Sequence, residues 1–114
     1  MDDLVDCSGE HHTPLNYGLD DRLCERAAAI FRALGDPNRL RLLCFLAKKE
    51  MCVSELTALL RDNVPAVSQR LKLLKSERLV KPRRQGKHMY YRLADEHISR
   101  LIENGLAHGG EPDE

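Results

Sequence analysis

A mainly α domain with a single β-hairpin is what this sequence predicts, on three observations. Apolar residues recur at helical spacing in five separate stretches, breaker residues divide those stretches, and one short run alternates on either side of a glycine. The length of 114 residues suits one domain with a small core. Two Phe, three Tyr and no Trp make that core thin, so pairing of copies is an expected source of stability.

Residues 1–18 show no apolar period and read as a flexible arm. From Asp20, the positions Leu23, Ala27, Ile30, Phe31 and Leu34 follow helical spacing until Gly35-Asp36-Pro37 ends the first helix. Pro37 opens a second helix, with Leu40, Leu43, Cys44 and Leu46 on one face. The segment 51–56 leads into a short third helix that runs to Leu60, with Ser54 as its cap. Asn63 caps a fourth helix, where Pro65 in the first turn costs no hydrogen bond and Val64, Val67, Leu71 and Leu74 form the buried stripe. Residues 79–84 and 88–93 read as two strands around Gln85-Gly86-Lys87, a hairpin tip with Gly where positive φ is needed. A last helix starts near Asp95 and carries Ile98, Leu101, Ile102 and Leu106. The expected order is four helices, the hairpin and a fifth helix, a domain over 19–108 between the arm and an acidic tail, 109–114.

The net charge of zero hides a segregation along the chain. Residues 1–26 hold two Lys or Arg against seven Asp or Glu, and residues 93–114 hold one against six. Residues 61–92 hold ten basic side chains against Asp62 and Glu77. A basic middle between acidic ends is the electrostatic footprint of a nucleic-acid reader. Two short helices, a tight turn and a basic hairpin make a winged helix-turn-helix, whose second helix enters the major groove. With Val67, Leu71 and Leu74 turned to the core, 100° per residue places Pro65, Gln69, Lys72 and Ser76 outward, with Ser68 at the flank. Asn63 and Pro65 open this surface, Ser68 and Gln69 suit base edges, and Lys72, Arg83, Arg84 and Lys87 suit phosphates.

Four separated motifs occur in one order: Leu34-Gly-Asp-Pro-Asn-Arg-Leu-Arg-Leu-Leu43, Glu50-Met-Cys-Val-Ser-Glu-Leu56, Ala66-Val-Ser-Gln-Arg-Leu71 and Arg84-Gln-Gly-Lys-His-Met-Tyr-Tyr91. Together they resemble the ArsR/SmtB family of metal-sensing repressors, closest to its zinc-responsive branch, over roughly residues 20–108. The resemblance implies a homodimer of winged-helix subunits, joined through first and last helices, that represses transcription until metal binds.

On the last helix stand Asp95, His97, His108 and Glu111. Within one chain they cannot form one site. Eleven residues span about 16 Å of helix, far beyond a zinc–ligand distance of about 2 Å. Eleven residues are also about three turns, so His97 and His108 share a face. Antiparallel pairing with a second copy then gives two symmetric sites, each of Asp95 and His97 from one chain with His108 and Glu111 from the other. The four spacings also match the last-helix site of the family's zinc sensors, although Gly109-Gly110 and Pro112 weaken the helix around Glu111. A second constellation joins Cys52 and Glu55 to Cys7, His11 and His12 of the arm, a partnership that some family members use with a Cys-x-Cys pair. Here Ser54 replaces the second Cys, which lowers the thiolate count and argues against a cadmium or lead specialist. Zinc is the expected ion, with cadmium, cobalt and copper(I) as related ones. Cys24 and Cys44 lie on apolar helical faces and are expected in the core.

No nucleophile, base and orienting group form a recognisable arrangement, so an enzyme with a small organic substrate is not expected. Two other readings stay open. One is a thiol or soft-metal sensor for cadmium, lead, copper(I) or arsenite; it calls for close Cys pairs, which positions 7, 24, 44 and 52 do not supply. The other is a metal-buffering protein, against which the basic hairpin and reader helix argue. No apolar run approaches the roughly 20 residues of a membrane span, the acidic N-terminus lacks an export pattern, and the cysteine spacing speaks against a disulfide framework. A soluble cytoplasmic protein acting on duplex DNA is therefore expected.

Overall fold

The structure, a computed structural model, describes residues 20–113. Five helices and a three-stranded sheet follow one another as α1 (Asp21–Leu34), α2 (Pro37–Lys48), β1 (Met51–Cys52), α3 (Val53–Leu60), α4 (Val64–Ser76), β2 (Val80–Gln85), β3 (His88–Leu93) and α5 (Glu96–Gly109). The sheet order is β1-β3-β2, both pairings antiparallel. Among the described residues, no helix is long and apolar enough to cross a membrane.

Four helices start on an acidic or amide side chain that accepts a free backbone N–H. Asp20 takes that of Arg22 at 2.8 Å, Asp36 that of Arg39 at 3.0 Å, Asn63 that of Ala66 at 2.9 Å, and Asp95 that of Ile98 at 3.3 Å. The third helix differs from expectation. Ser54 is not its cap, because Met51 and Cys52 pair with Tyr91 and Tyr90 of β3, stay extended, and start the helix at Val53. There the Glu55 carboxylate reaches back to the Cys52 N–H at 3.0 Å. Strand β1 is itself absent from the expected order.

The core forms where α2 meets its neighbours. Leu42, Leu43 and Leu46 of α2 pack with Leu56 of α3, with Val67, Leu71 and Leu74 of α4, and with Ile98 and Ile102 of α5. Leu42 replaces the expected Leu40 and Cys44, which are only partly buried. Arg39 links α1 to α2, its Nε–H donating to the Ala33 carbonyl at 2.9 Å and Nη2 to that of Arg32 at 3.2 Å. The first helix contributes only Ala33 to the fully buried set, and Cys24 is exposed, not buried as expected. Residues 21–28 of α1 are all exposed.

Candidate nucleic-acid interface and metal residues

The turn between α3 and α4 is three residues long. Arg61 takes it through the left-handed region at φ 54°, and the Asp62 carboxylate accepts the Asn63 N–H at 2.8 Å. Asp62 also holds Arg70 of α4 at 2.8 Å. The Arg70 guanidinium, with the Asn63 N–H, keeps the Asp62 carboxyl below its ordinary value. Arg70 is thus spent on the turn and turned from the outer face. Pro65, Ser68, Gln69, Lys72 and Ser76 are exposed along α4, as expected, and the Ser76 hydroxyl donates to the Leu73 carbonyl at 2.6 Å. Asn63 is also exposed, but its Oδ1 is engaged as the helix cap. Val64 is 51 % exposed and leaves the expected buried stripe to join the same end of the helix.

The hairpin turns at Gly86, φ 62°, a backbone state that suits glycine. Strand alternation puts Lys81, Arg83 and Gln85 on one face of β2, and Val80, Pro82 and Arg84 on the other. Arg84 and Lys87 are exposed and have no carboxylate partner among the described residues. Arg83, expected to suit a phosphate, is held within the chain by Glu50. Its Nε–H and Nη2 donate to the two Glu50 carboxylate oxygens at 2.9 and 2.6 Å, and Nη1 donates to Gln85 at 2.8 Å. The guanidinium also lies over the Tyr90 ring, 5.1 Å from its centroid. The hydrogen-bonded Arg83 lowers the Glu50 carboxyl, and Glu50 in turn raises Arg83. Glu50 and Tyr90 escaped sequence reasoning because Glu50 and Arg83 lie 33 residues apart and share no local pattern.

On α5 the donors come in two pairs. His97 Nδ1 lies 3.3 Å from Asp95 Oδ1, and His108 Nδ1 lies 3.4 Å from Glu111 Oε1. All four side chains are more than half exposed. Desolvation pushes the Asp95 carboxyl up, but the Ile98 N–H and His97 outweigh it and leave it below its ordinary value. The Gly109-Gly110 pair does not break the turn, since Gly110 and Glu111 N–H groups still donate to Leu106 and His108 carbonyls at 3.0 and 3.1 Å. Among the described residues, no three His, Cys, Asp or Glu side chains of one copy gather into a metal site. At the start of α3, Cys52 is buried and Glu55 is committed to the Cys52 N–H, which lowers its carboxyl. Cys7, His11 and His12, the arm's share of the second constellation, lie outside the described residues.

A reader helix with a polar outer face, set by a short turn and flanked by a cationic hairpin, defines a winged helix-turn-helix regulator of the DNA-binding class. Comparison with known proteins agrees. Residues 36–81 match the bacterial regulatory protein, arsR family. A Synechocystis transcriptional repressor SmtB homolog is 45% identical over 78% of this chain and 67% of its own length. A Staphylococcus aureus cadmium resistance transcriptional regulatory protein CadC homolog is 34% identical over 93% of this chain and 91% of its own. The solved homodimeric winged helix-turn-helix DNA-binding domain of a Mycobacterium bovis protein superposes with a TM-score of 0.76 at 34% identity, covering 85% of this chain and 93% of that one. The chain spans about two thirds of the length of the SmtB relatives. The chain belongs to the ArsR/SmtB family, whose members are DNA-binding transcriptional regulators and not enzymes.

Proposed function

We propose that this chain is a homodimeric, metal-responsive repressor that binds an inverted-repeat operator and leaves it when zinc binds. Pro65, Ser68, Gln69 and Lys72 of α4 face the major groove, and Arg84 and Lys87 take phosphates. One observation carries the metal reading: α5 offers a two-donor pair at each end, and neither pair alone completes a tetrahedral set. The residues that would hold the ion are Asp95 and His97 of one copy with His108 and Glu111 of another, an N and O set that suits zinc. When bound, the ion supplies a cross-link between copies. The chain's part is to fix the angle between its reader helices, and a coupling of about 1–3 kcal/mol changes DNA affinity about 5- to 150-fold.

The test is a DNA-release titration with zinc. His97→Ala and His108→Ala should each bind duplex as the parent does and fail to let go. Mixed dimers carrying one of each change should retain a single working site. Release of the His108 variant at the parent's zinc concentration would place the switch elsewhere. Cadmium, cobalt and copper(I) run in parallel rank the ions.

A second reading uses Cys7, His11 and His12 with Cys52 and Glu55. What favours it is the span of the likeness to the cadmium resistance regulator, 93% of this chain, which must reach into the arm. Cadmium or cobalt(II) would then give a sulfur charge-transfer absorption that Cys7→Ser and Cys52→Ser each weaken.

A further inference from the structure

We propose that Glu50 and Arg83 form a strap that positions the hairpin wing, and that Arg83 does not take a DNA phosphate. The strap crosses the whole sheet. Arg83 stands on β2, Tyr90 lies opposite it on the middle strand β3, and Glu50 immediately precedes β1. The Arg83 side chain runs over the Tyr90 ring and closes a two-bond fork on Glu50, the strong form of an Arg–carboxylate contact. The third nitrogen is also committed, to Gln85, the residue before the turn at Lys87 and Gly86. On the same face, His88 meets the Tyr90 ring edge-on at 6.5 Å. The network therefore runs from the residue that leads into β1, at the root of the hairpin, toward its tip.

Two consequences separate this role from phosphate binding. A paired Arg–Glu unit is neutral, so it adds nothing to the field that draws the wing to DNA and releases no counterion on binding. And because Arg83 and Arg84 alternate across the strand, fixing one face of β2 fixes the direction in which Arg84 points from the other. Glu50 and Arg83 are positioning residues, and Arg84 and Lys87 are the contacts they position.

The inference rests on duplex binding through the wing and on no metal. Binding of the full chain to a mixed-sequence fluorescent duplex, followed by anisotropy from about 50 to 200 mM salt, reads it out. Lys87→Ala should flatten the slope of log K against log salt by about 0.9 per copy. The double variant Glu50→Gln with Arg83→Gln, which removes the strap without changing the net charge, should lower affinity on the order of tenfold at every salt concentration, with the parent's slope. The exchanged pair, Glu50→Arg with Arg83→Glu, should recover most of the loss, which also separates the strap from simple misfolding. The proposal is overturned if that double variant flattens the slope as Lys87→Ala does, which makes Arg83 a phosphate ligand, or if it binds as the parent does, which leaves the strap without a role. A slope that no wing variant moves would instead remove the wing from the interface.

Discussion

Asp62 has two tasks at the turn that sets the reader helix: it receives the Asn63 N–H and it holds Arg70. Both favour its charged form, Arg70 more than the amide, so its folded-state pKa lies below the ordinary 3.8. A carboxyl lowered in this way contributes stability that is complete above the unfolded value and disappears as pH falls through the folded one. Asp62→Asn should therefore melt below the parent at neutral pH, and the two curves should converge as pH falls through the lowered titration of the Asp62 carboxyl. Melting curves that stay parallel across that range would show that the pair adds nothing. Local partnerships of this kind are half legible in a sequence. The Asn63 cap follows from its place before an apolar period, because capping acts over three residues. The Asp62–Arg70 and Glu50–Arg83 pairs do not, since only the fold brings them together.

At the level of elements, α4 carries the recognition argument. Its polar face survives intact from sequence to structure because Val67, Leu71 and Leu74 pin the helix rotation. Lys72→Ala should weaken binding to every duplex alike and flatten the salt slope by about 0.9 per copy. Gln69→Ala should leave that slope alone and change preference at one base position, by about 1–3 kcal/mol. Equal losses of affinity on all sequences for both variants would mean that Gln69 reads no base. Val64 shows where periodicity fails. It is the first residue of α4, directly after the turn 61–63, and precedes the first buried residue of the helix. The start of α3 fails for a different reason: a two-residue strand is too short to show alternation, so the extended pull of β3 on Cys52 is invisible. The tie between Arg83 and Glu50 is hidden for a third reason, since a basic residue in a basic hairpin looks the same whether it is free or tied.

Across the whole molecule, the side chains left uncovered are as informative as the core. Leu23 and Phe31 on α1 and Leu101 and Leu106 on α5 are 36% to 58% exposed. An open groove of about 590 Å³ lies between α1 and the start of α5, lined by Leu23, Ala27, Ile30, Ile98 and Leu101, with Asp95 and His97 on its wall. A second copy seated there would cover an apolar face that a single chain leaves wet. Each fully buried Leu is worth about 1.5–3 kcal/mol and occurs twice in a dimer, so Leu23→Glu, on the groove wall, should raise the dimer Kd at least about 100-fold. Sedimentation at micromolar concentration checks this, and an unchanged dimer would assign that face another use. The thin core alone could suggest pairing; the expectation that the first and last helices stay bare comes from the family resemblance, because composition does not show where α2 has room for partners.

Asp95 uses one oxygen, Oδ1, for both the Ile98 N–H and His97. Asparagine keeps a carbonyl oxygen in that place and caps helices about as well as aspartate. The helix can therefore outlive the loss of the charge. On the zinc reading, this makes sensing far easier to lose than folding over generations. Aspartate and asparagine codons differ by one base, so a regulator that lets go of its operator lies a single substitution from one that represses permanently.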